Sequence, residues 1–173
     1  MKNSHIIPTN KEKVMDANDF IVSKTNTKGI LTYCNEIFIE MAGYDESELL
    51  GKNHNIIRHP DMPRAAFKLV WDTISAGKEF FAFVKNMSSC GGFYWVFTHI
   101  APDYDKGGTI TGYTSVRRAP NRSAISAITP LYAQMLQAER SGNINASTQI
   151  LLDFLDQNNI GYEELILSLQ GDL

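Results

Sequence analysis

The sequence predicts an α+β protein built on a five-stranded antiparallel β-sheet, with helices folded over one face of the sheet. Two β-rich runs lie within residues 19–34 and three more within residues 79–118, with helical patterns between the two groups. Strands clustered in this way favour an antiparallel sheet over a doubly wound parallel one. The 173 residues, 43% hydrophobic and 20% charged, are sufficient for a folded core.

The first two strands form a predicted hairpin in DFIVSKTNTKGILTYC, residues 19–34. Gly29 can adopt the positive φ that a tight turn requires, so the turn is placed there. Asn35 is a predicted N-cap for a helix over NEIFIEMAGY. Asp45 and Glu48 have the spacing of a capping box at the start of a second, shorter helix.

The next segment, KNHNIIRHPDMP at residues 52–63, contains two prolines and leaves room for only a turn of helix. Pro63 then suits the first position of a longer helix over PRAAFKLVWDTISAGK, whose apolar residues follow helical spacing. Three aromatic and β-branched runs separated by glycine-containing turns follow. They predict an antiparallel meander that completes the sheet.

The two ends of the chain differ from this central region, residues 19–122. Residues 1–18 are polar, and we expect a mobile arm or a short capping helix. Residues 123–173 have helical periodicity, and from residue 124 they hold six acidic residues against one basic residue. These amphipathic helices need a partner surface, which can be the sheet, a second copy of the chain or another protein.

Composition and motifs exclude several classes of function. The net charge of −3 gives no broad basic surface for nucleic acid, and no apolar run is long enough for a membrane span or a signal peptide. Two cysteines, Cys34 and Cys90, are too few for a disulfide framework. The sequence lacks the common nucleophile, phosphate-binding and zinc-protease motifs, and its four histidines, His5 among them, show no metal-ligand spacing. We therefore expect a cytoplasmic protein that is not an enzyme.

Two features suggest a binding site. Asn53, His54, Arg58, His59 and Asp61 crowd the proline-bounded loop, where Arg58 and His59 can engage a phosphate or a flavin carbonyl; alternatively, Arg58 and Asp61 form an ion pair that only pins the loop. Aromatic residues on the long helix and two strands can line a cavity for a flat heterocycle, or simply fill the core. They are Trp71, Phe80, Phe81, Phe83, Phe93, Tyr94, Trp95 and Phe97.

Residues 19–122 contain RHPDMP followed by AAF and a Trp, N-x-x-F with GY…EL-x-G, and the segments VKN, G-x-YWV and ITGYTSVR. With these motifs the segment resembles a PAS domain, and more narrowly the flavin-binding PAS domains of bacterial aerotaxis receptors. This resemblance implies a PAS fold that holds FAD non-covalently, with the redox state of the flavin reporting cellular electron flow. The residues it implicates in cofactor binding are Asn35, His54, Arg58, His59, Asp61, Trp71, Phe80 and Asn86.

Individual positions refine this expectation. Asn86 carries an amide donor and acceptor, so it can form hydrogen bonds with the polar edge of the flavin. The hydrogen bonding of that edge changes on reduction. Phe80 stands where the aerotaxis receptors have a tryptophan, and it cannot donate a hydrogen bond. Light-sensing relatives place a reactive cysteine where this chain has His54, which excludes a thiol–flavin adduct at that position.

The resemblance also implies a partner. We expect a stand-alone energy-taxis sensor that signals by contact to a membrane-bound chemotaxis transducer, with a homodimer possible and the C-terminal helices as the docking element. Two alternatives stay open. One is a haem-binding PAS gas sensor with His54, His59 or His99 as axial ligand. The other is a PAS interaction module that works without a ligand.

Overall fold

The computed structural model describes residues 6–171, so His5 and the outer ends of the predicted arm and tail lie outside it. Strands β1 (Ile21–Asn26) and β2 (Leu31–Cys34) form the predicted hairpin. Helices α1 (Glu36–Ala42) and α2 (Glu46–Leu49), a 3₁₀ turn at His54–Ile57 and helix α3 (Arg64–Ser75) follow. Strands β3 (Phe80–Met87), β4 (Phe93–Tyr104) and β5 (Ile110–Arg118) form the meander. Helices α4 (Arg122–Arg140), α5 (Ile144–Gln157) and α6 (Tyr162–Gln170) end the chain.

The five strands form one sheet in the order β2-β1-β5-β4-β3, and every neighbouring pair is antiparallel. The predicted fold class is therefore confirmed. Within the first half of the chain the predicted caps are also present. The Asn35 side chain accepts from the Phe38 N–H, and Asp45 and Glu48 form a capping box.

One boundary differs from the prediction by a residue. Pro63 is not the first residue of α3 but its N-cap, since its ψ of 144° is extended rather than helical. The cap has no side-chain hydrogen bond, because a proline side chain offers none. The helix starts at Arg64 without a cap of its own.

Helices cover both faces of the sheet. One face packs against the helical segment α1–α3, with buried residues such as Phe38, Leu49 and Val96 between them. The other face carries Phe83, Trp95 and Phe97, which pack against the apolar side of α4 and α6. The tail helices therefore use the sheet as a partner surface, which is one of the three that the sequence allowed.

Specific hydrogen bonds fix the tail helices on this face. The Tyr132 hydroxyl donates to the Phe83 carbonyl (2.9 Å), so α4 is tied to β3. Near the end of α6, the Gln170 side chain accepts from the Asn121 N–H (2.9 Å) and donates to the Ala119 carbonyl (3.3 Å). These bonds close the end of the tail back onto the segment between β5 and α4.

The N-terminal arm forms no helix in residues 6–20. It lies extended along the turn between β3 and β4, where Thr9 N–H donates to the Gly91 carbonyl and Lys13 N–H to the Phe93 carbonyl, both at 2.8 Å. The arm also contacts the tail, because Glu12 accepts two hydrogen bonds from the Arg122 guanidinium. Both ends of the described chain therefore meet beside the start of α4.

Candidate functional site

A cavity of about 130 Å³ lies between the sheet and α3, next to the 3₁₀ turn. Four strands contribute to its wall, each through alternate residues, because successive side chains of a strand point to opposite faces. Helix α3 contributes Phe67, Val70, Trp71 and Ile74. The sheet residues that line the cavity are Ser23, Thr25, Ala82, Val84, Asn86, Thr98, Ile100, Tyr113, Ser115 and Arg117.

The cavity reaches the surface beside Asn55 and Trp71, the exposed members of its lining. The Trp71 ring stands edge-on to Tyr113, with 5.7 Å between ring centroids. A Cβ atom on Gly29 would lie 3.0 Å from the outer edge of the Trp71 ring, and the φ of Gly29 is +74°. Glycine at the hairpin turn thus serves the turn geometry and also leaves room for the indole ring.

One wall of the cavity is polar and incompletely hydrogen-bonded. Buried polar groups almost always have partners, and an unpartnered one is costly. Four lining residues on three neighbouring strands each carry a buried polar atom with no hydrogen-bond partner among the described residues. These atoms are Asn86 Nδ2, Thr98 Oγ1, Ser115 Oγ and Arg117 Nη1.

Arg117 is the dominant charge of this wall. It is only 3% exposed, and no salt bridge to an acidic residue is formed by it within residues 6–171. Its Nη2 donates to His54 Nε2 (2.6 Å) and to Ser23 Oγ (3.1 Å). Burial lowers the pKa of Arg117 to about 10, so the guanidinium still carries its charge at neutral pH.

His54 accepts this hydrogen bond as a neutral ring. Burial, reinforced by the nearby Arg117 charge, lowers the pKa of His54 to about 3. Its ring stacks on Phe38, with 5.8 Å between centroids, which fixes the plane of the imidazole. At neutral pH this wall of the cavity therefore presents the positive charge of Arg117, with a neutral histidine beside it.

Asn86 and Arg58 are brought together at the edge of the cavity. Their backbones form an isolated antiparallel bridge, which attaches the loop after the 3₁₀ turn to β3. The Arg58 guanidinium lies over the Phe67 ring, 4.2 Å from its centroid, and donates to the Met62 carbonyl (3.1 Å). Both residues line the cavity, but Arg58 already uses part of its donor capacity within the chain.

His59 and Asp61 are not among the cavity-lining residues. Asp61 pairs with Lys85 (2.6 Å), and not with Arg58, so the predicted ion pair of the loop has a different partner. The buried His59 accepts from the Asp61 N–H (3.1 Å) and lies edge-on to Phe93. Burial, with Lys85 as the next cause, lowers the pKa of His59 to about 4. These residues attach the loop to β3 on the side away from the cavity.

Asn35 and Phe80 also lie outside the cavity lining. The Asn35 side chain accepts from the Val22 and Phe38 N–H groups and donates to the Phe20 carbonyl, so it joins the first strand to α1. Phe80 stacks on Tyr162 of α6, with 5.2 Å between ring centroids. Of the eight predicted site residues, the structure brings His54, Arg58, Trp71 and Asn86 to the cavity.

Of the two alternatives for the aromatic set, the structure favours core filling, because most of these rings lie on the face of the sheet opposite the cavity. Phe83, Trp95 and Phe97 belong to the core beneath the tail helices, and Trp95 stacks on Tyr132. Tyr94 faces the helical side and is fully buried. Trp71 is the one member of the predicted aromatic set that lines the cavity.

Four polar residues of the lining were not predicted from the sequence: Ser23, Thr98, Ser115 and Arg117. The signal for two of them was weak, since Ser115 and Arg117 share one face of β5 with Tyr113, while Thr114 and Arg118 make the other face polar as well. Polar residues at alternate positions of a central strand mark a polar wall as readily as a solvent face, and the sequence does not distinguish the two. The predictions centred instead on the loop at residues 52–63, because it is dense in hydrogen-bonding residues.

The positions of the described histidines bear on metal or haem ligation. His99 lies outside the cavity lining and contacts Glu79 (2.8 Å). His54 is therefore the histidine that lines the cavity, among the residues described. No cluster of three or more histidine, cysteine or acidic residues suited to a metal ion is found in residues 6–171. Within the same range, no helix has both the length and the apolar character needed to cross a membrane.

Comparison with known sequences identifies relatives of this chain. The family described as the PAS fold matches residues 31–117. The aerotaxis receptor of Escherichia coli (strain K12) is 34% identical over 142 residues, which make up 82% of this chain and 28% of the receptor. Phototropin-2 of Oryza sativa subsp. japonica is 25% identical over 57% of this chain and 11% of its own length. The chain thus spans a small part of these relatives.

Solved structures share the same architecture. A light-oxygen-voltage domain studied with a flavin analogue aligns with a TM-score of 0.56 at 22% identity, covering 72% of this chain and 87% of that domain. The PAS domain of the fruit-fly ELK potassium channel aligns with a TM-score of 0.52 at 15% identity, covering 57% of this chain and 85% of that domain. At these identities the likeness establishes the fold.

Proposed function

The chain belongs to the PAS fold family, as its sequence predicted, and from this we propose that it is a redox sensor whose cavity binds a flavin. The flavin we favour is FAD, and the output is a change in contacts with another protein. We further propose that the protein is not an enzyme, because the hydroxyl–imidazole contact described in its cavity, Ser23 Oγ to His54 Nε2 (3.4 Å), is long, and the same ring nitrogen already accepts from Arg117.

The observation that carries this proposal is the polar wall with unpartnered buried atoms. Asn86, Thr98, Ser115 and Arg117 face one cavity, and all four supply donors. A flavin ring system has an edge of carbonyl and ring-nitrogen acceptors at one end and an apolar dimethylbenzene at the other. Apolar lining residues such as Val70, Ile74 and Ile100 suit the second end.

Each polar residue has a distinct role in this arrangement. When bound, the flavin supplies reversible electron uptake. Arg117 would donate to an acceptor on its polar edge and favour added negative charge there, since the cation has no carboxylate partner among the described residues. His54 holds Nη2 of the guanidinium in place. Asn86 would donate through Nδ2 and accept through Oδ1.

The relatives support the same assignment. An aerotaxis receptor shares 34% identity over most of this chain, and a light-oxygen-voltage domain associated with a flavin analogue shares its fold. On these grounds we propose a separate, membrane-bound chemotaxis transducer as the signalling partner and the cytoplasm as the location. A homodimer is a second assembly that the proposal allows.

The experiment that tests the proposal is an absorption spectrum of the purified protein before and after reduction with dithionite. We expect flavin bands that bleach on reduction, in the protein as purified or after incubation with FAD. Parallel incubation with FMN and with riboflavin determines which flavin is preferred. A Soret band would instead favour haem, and a protein that takes up none of the three flavins would contradict the proposal.

A substitution in the polar wall gives a sharper test. Arg117→Met removes the buried charge at nearly constant length, and we expect flavin affinity to fall about tenfold or more, the usual loss for a charge-assisted hydrogen bond. Arg118→Met is the matched control, since Arg118 lies on the opposite face of the same strand, over Phe97. Isothermal titration with FAD measures both variants. Equal affinities in both would show that Arg117 does not contact the ligand.

A further inference from the structure

Glu139, near the end of α4, caps the N-terminus of α3 from 75 residues away. Its Oε2 accepts from the Arg64 N–H (2.8 Å), and its Oε1 accepts from the Ala65 N–H (2.9 Å). The first N–H groups of a helix have no partner within the helix, so a carboxylate placed there satisfies two of them. Its negative charge also opposes the positive end of the helix dipole.

Helix α3 depends on this cap because it has none of its own. The residue at its N-cap position is Pro63, which makes no side-chain hydrogen bond, and its first turn contains no acidic residue. By contrast, α1, α4 and α5 are each capped by a neighbouring asparagine. A side chain of the tail thus replaces a local cap where the sequence lacks one.

The same carboxylate joins two tail helices. Oε1 of Glu139 also accepts from the Ser147 hydroxyl (2.9 Å), and Ser147 in α5 is fully buried. One side chain therefore connects α3, α4 and α5. A shift of α3 by a fraction of an ångström lengthens these hydrogen bonds unless α4 and α5 move with it.

Helix α3 is at the same time a wall of the cavity. Phe67, Val70 and Trp71 line the cavity from one face of this helix. Glu139 also acts on the loop before it, because its charge partly opposes the lowering of the Arg58 pKa that burial causes. The hydrogen bonds of Glu139 therefore lie between the wall that a ligand contacts and the helices that cover the other face of the sheet.

We propose that Glu139 is a positioning residue that couples occupancy of the cavity to the tail helices α4 and α5. The coupling is reciprocal, so the tail helices also set the position of α3 and hence the affinity of the cavity. This inference rests on the proposed function only for the identity of the ligand. Coupling between the cavity wall and the tail exists whether or not that ligand is a flavin.

The test is amide hydrogen exchange of the full chain with and without FAD, in the wild type and in Glu139→Gln. Glutamine keeps one acceptor and loses the charge and the second acceptor. We expect FAD to slow exchange in α5 about fivefold in the wild type, the low end of usual coupling, and less than about twofold in the variant. The first-turn amides of α3 should exchange about fivefold faster in the variant, as expected for a lost cap.

Glu12→Gln is the matched control, because it removes an ionic contact to α4 that does not involve α3. In Glu12→Gln, FAD should slow amide exchange in α5 by the same factor as in the wild type. An undiminished response in Glu139→Gln would overturn the inference, as would an equal loss in Glu12→Gln.

Failure of the proposed function is separable from failure of this inference. If the wild type binds no flavin, the cavity wall is perturbed with Trp71→Ala instead, and exchange in α5 is compared in the presence and absence of Glu139→Gln. We expect Trp71→Ala to change α5 exchange at least about twofold in the wild-type background and to leave it unchanged in the Glu139→Gln background. Additive effects of the two substitutions would overturn the coupling.

Discussion

At the residue scale, the defining feature of this protein is a buried arginine whose contacts are all neutral. A guanidinium that leaves water needs hydrogen bonds to compensate, and Arg117 receives two acceptors from His54 and Ser23 but none for Nη1. The lowered pKa of His54 follows from burial and from the same contact, since a second positive charge beside Arg117 would be strongly disfavoured. Nη1 of Arg117 therefore lacks a hydrogen-bond acceptor, and a ligand in the cavity can supply one.

This arrangement predicts a pH dependence of stability. The pKa of His54 is about 3 in the folded chain and 6.5 when unfolded, so only the unfolded state gains a proton between these values. Stability is unaffected by His54 above pH 6.5 and falls as the pH drops below it, by about 2 kcal/mol between pH 7 and pH 5. Urea unfolding of the wild type and of His54→Gln at both pH values checks this.

The comparison between the two proteins isolates the effect of His54. His59, with its pKa lowered to about 4, adds a dependence of the same sign over a similar window, and it contributes equally to both proteins. The loss on acidification should therefore be smaller in His54→Gln. An identical loss in both would mean that His54 is not buried beside Arg117 in solution.

At the scale of single elements, close backbone approach decides where the sheet tolerates substitution. Gly112 in β5 lies opposite Asn26 of β1, and a Cβ atom there would come within 2.1 Å of the Thr25 carbonyl oxygen. Backbone atoms of a paired strand have no room to move aside. We expect Gly112→Ala to lower the free energy of unfolding by about 2 kcal/mol or more.

The control for this substitution is Gly161→Ala, at the N-cap of α6. A Cβ there would contact nothing within 4 Å, and its φ of −75° is open to any residue. The loss should stay below about 1 kcal/mol, the usual difference between glycine and alanine at an N-cap. Urea midpoints for both variants give the comparison. Similar losses would indicate that the close approach at Gly112 does not control stability, since the entropy of glycine in the unfolded chain favours alanine at both sites.

The elements themselves were largely predictable from the sequence. Gly29, Asn35 and the Asp45–Glu48 pair are local signals, and each appears in the structure at the predicted place. The four predicted residues that line the cavity came from the polar loop, as with His54 and Arg58, or from the family resemblance, as with Trp71 and Asn86. Arg117 and Thr98 were missed because their role depends on which face of the sheet is enclosed, a property of the assembled fold.

The same limit applies to two residues that lie outside the cavity lining. His59 and Asp61 are implicated in cofactor binding by the family resemblance. In the structure the Asp61 carboxylate forms an ion pair with Lys85. After Arg58 the loop therefore runs away from the cavity. Long-range pairs such as Glu139 with the start of α3 leave no trace in a local pattern, because they join segments 75 residues apart.

At the scale of the whole molecule, both faces of the sheet are covered by one continuous chain. The tail helices bury Phe83, Trp95 and Phe97, which would otherwise leave an exposed apolar face. Glu12, Glu139 and Gln170 then tie the tail to the arm, to α3 and to the segment after β5. These contacts make the tail a structural part of the domain, whatever further partner it contacts.

The two tryptophans allow this view to be tested, since they report on opposite faces of the sheet. Trp71 stands at the cavity against Tyr113, and Trp95 stacks on Tyr132 of the tail. In Trp71→Phe only Trp95 fluoresces, and in Trp95→Phe only Trp71 does. If the tail is integral to the fold, each variant should give the same urea midpoint by fluorescence as by far-ultraviolet circular dichroism. Comparing the two probes within one variant removes the effect of the substitution on stability. A tail that detaches first would show a fluorescence midpoint below the dichroism midpoint in Trp71→Phe alone, because Trp95 would lose its cover while the sheet and Trp71 stayed folded.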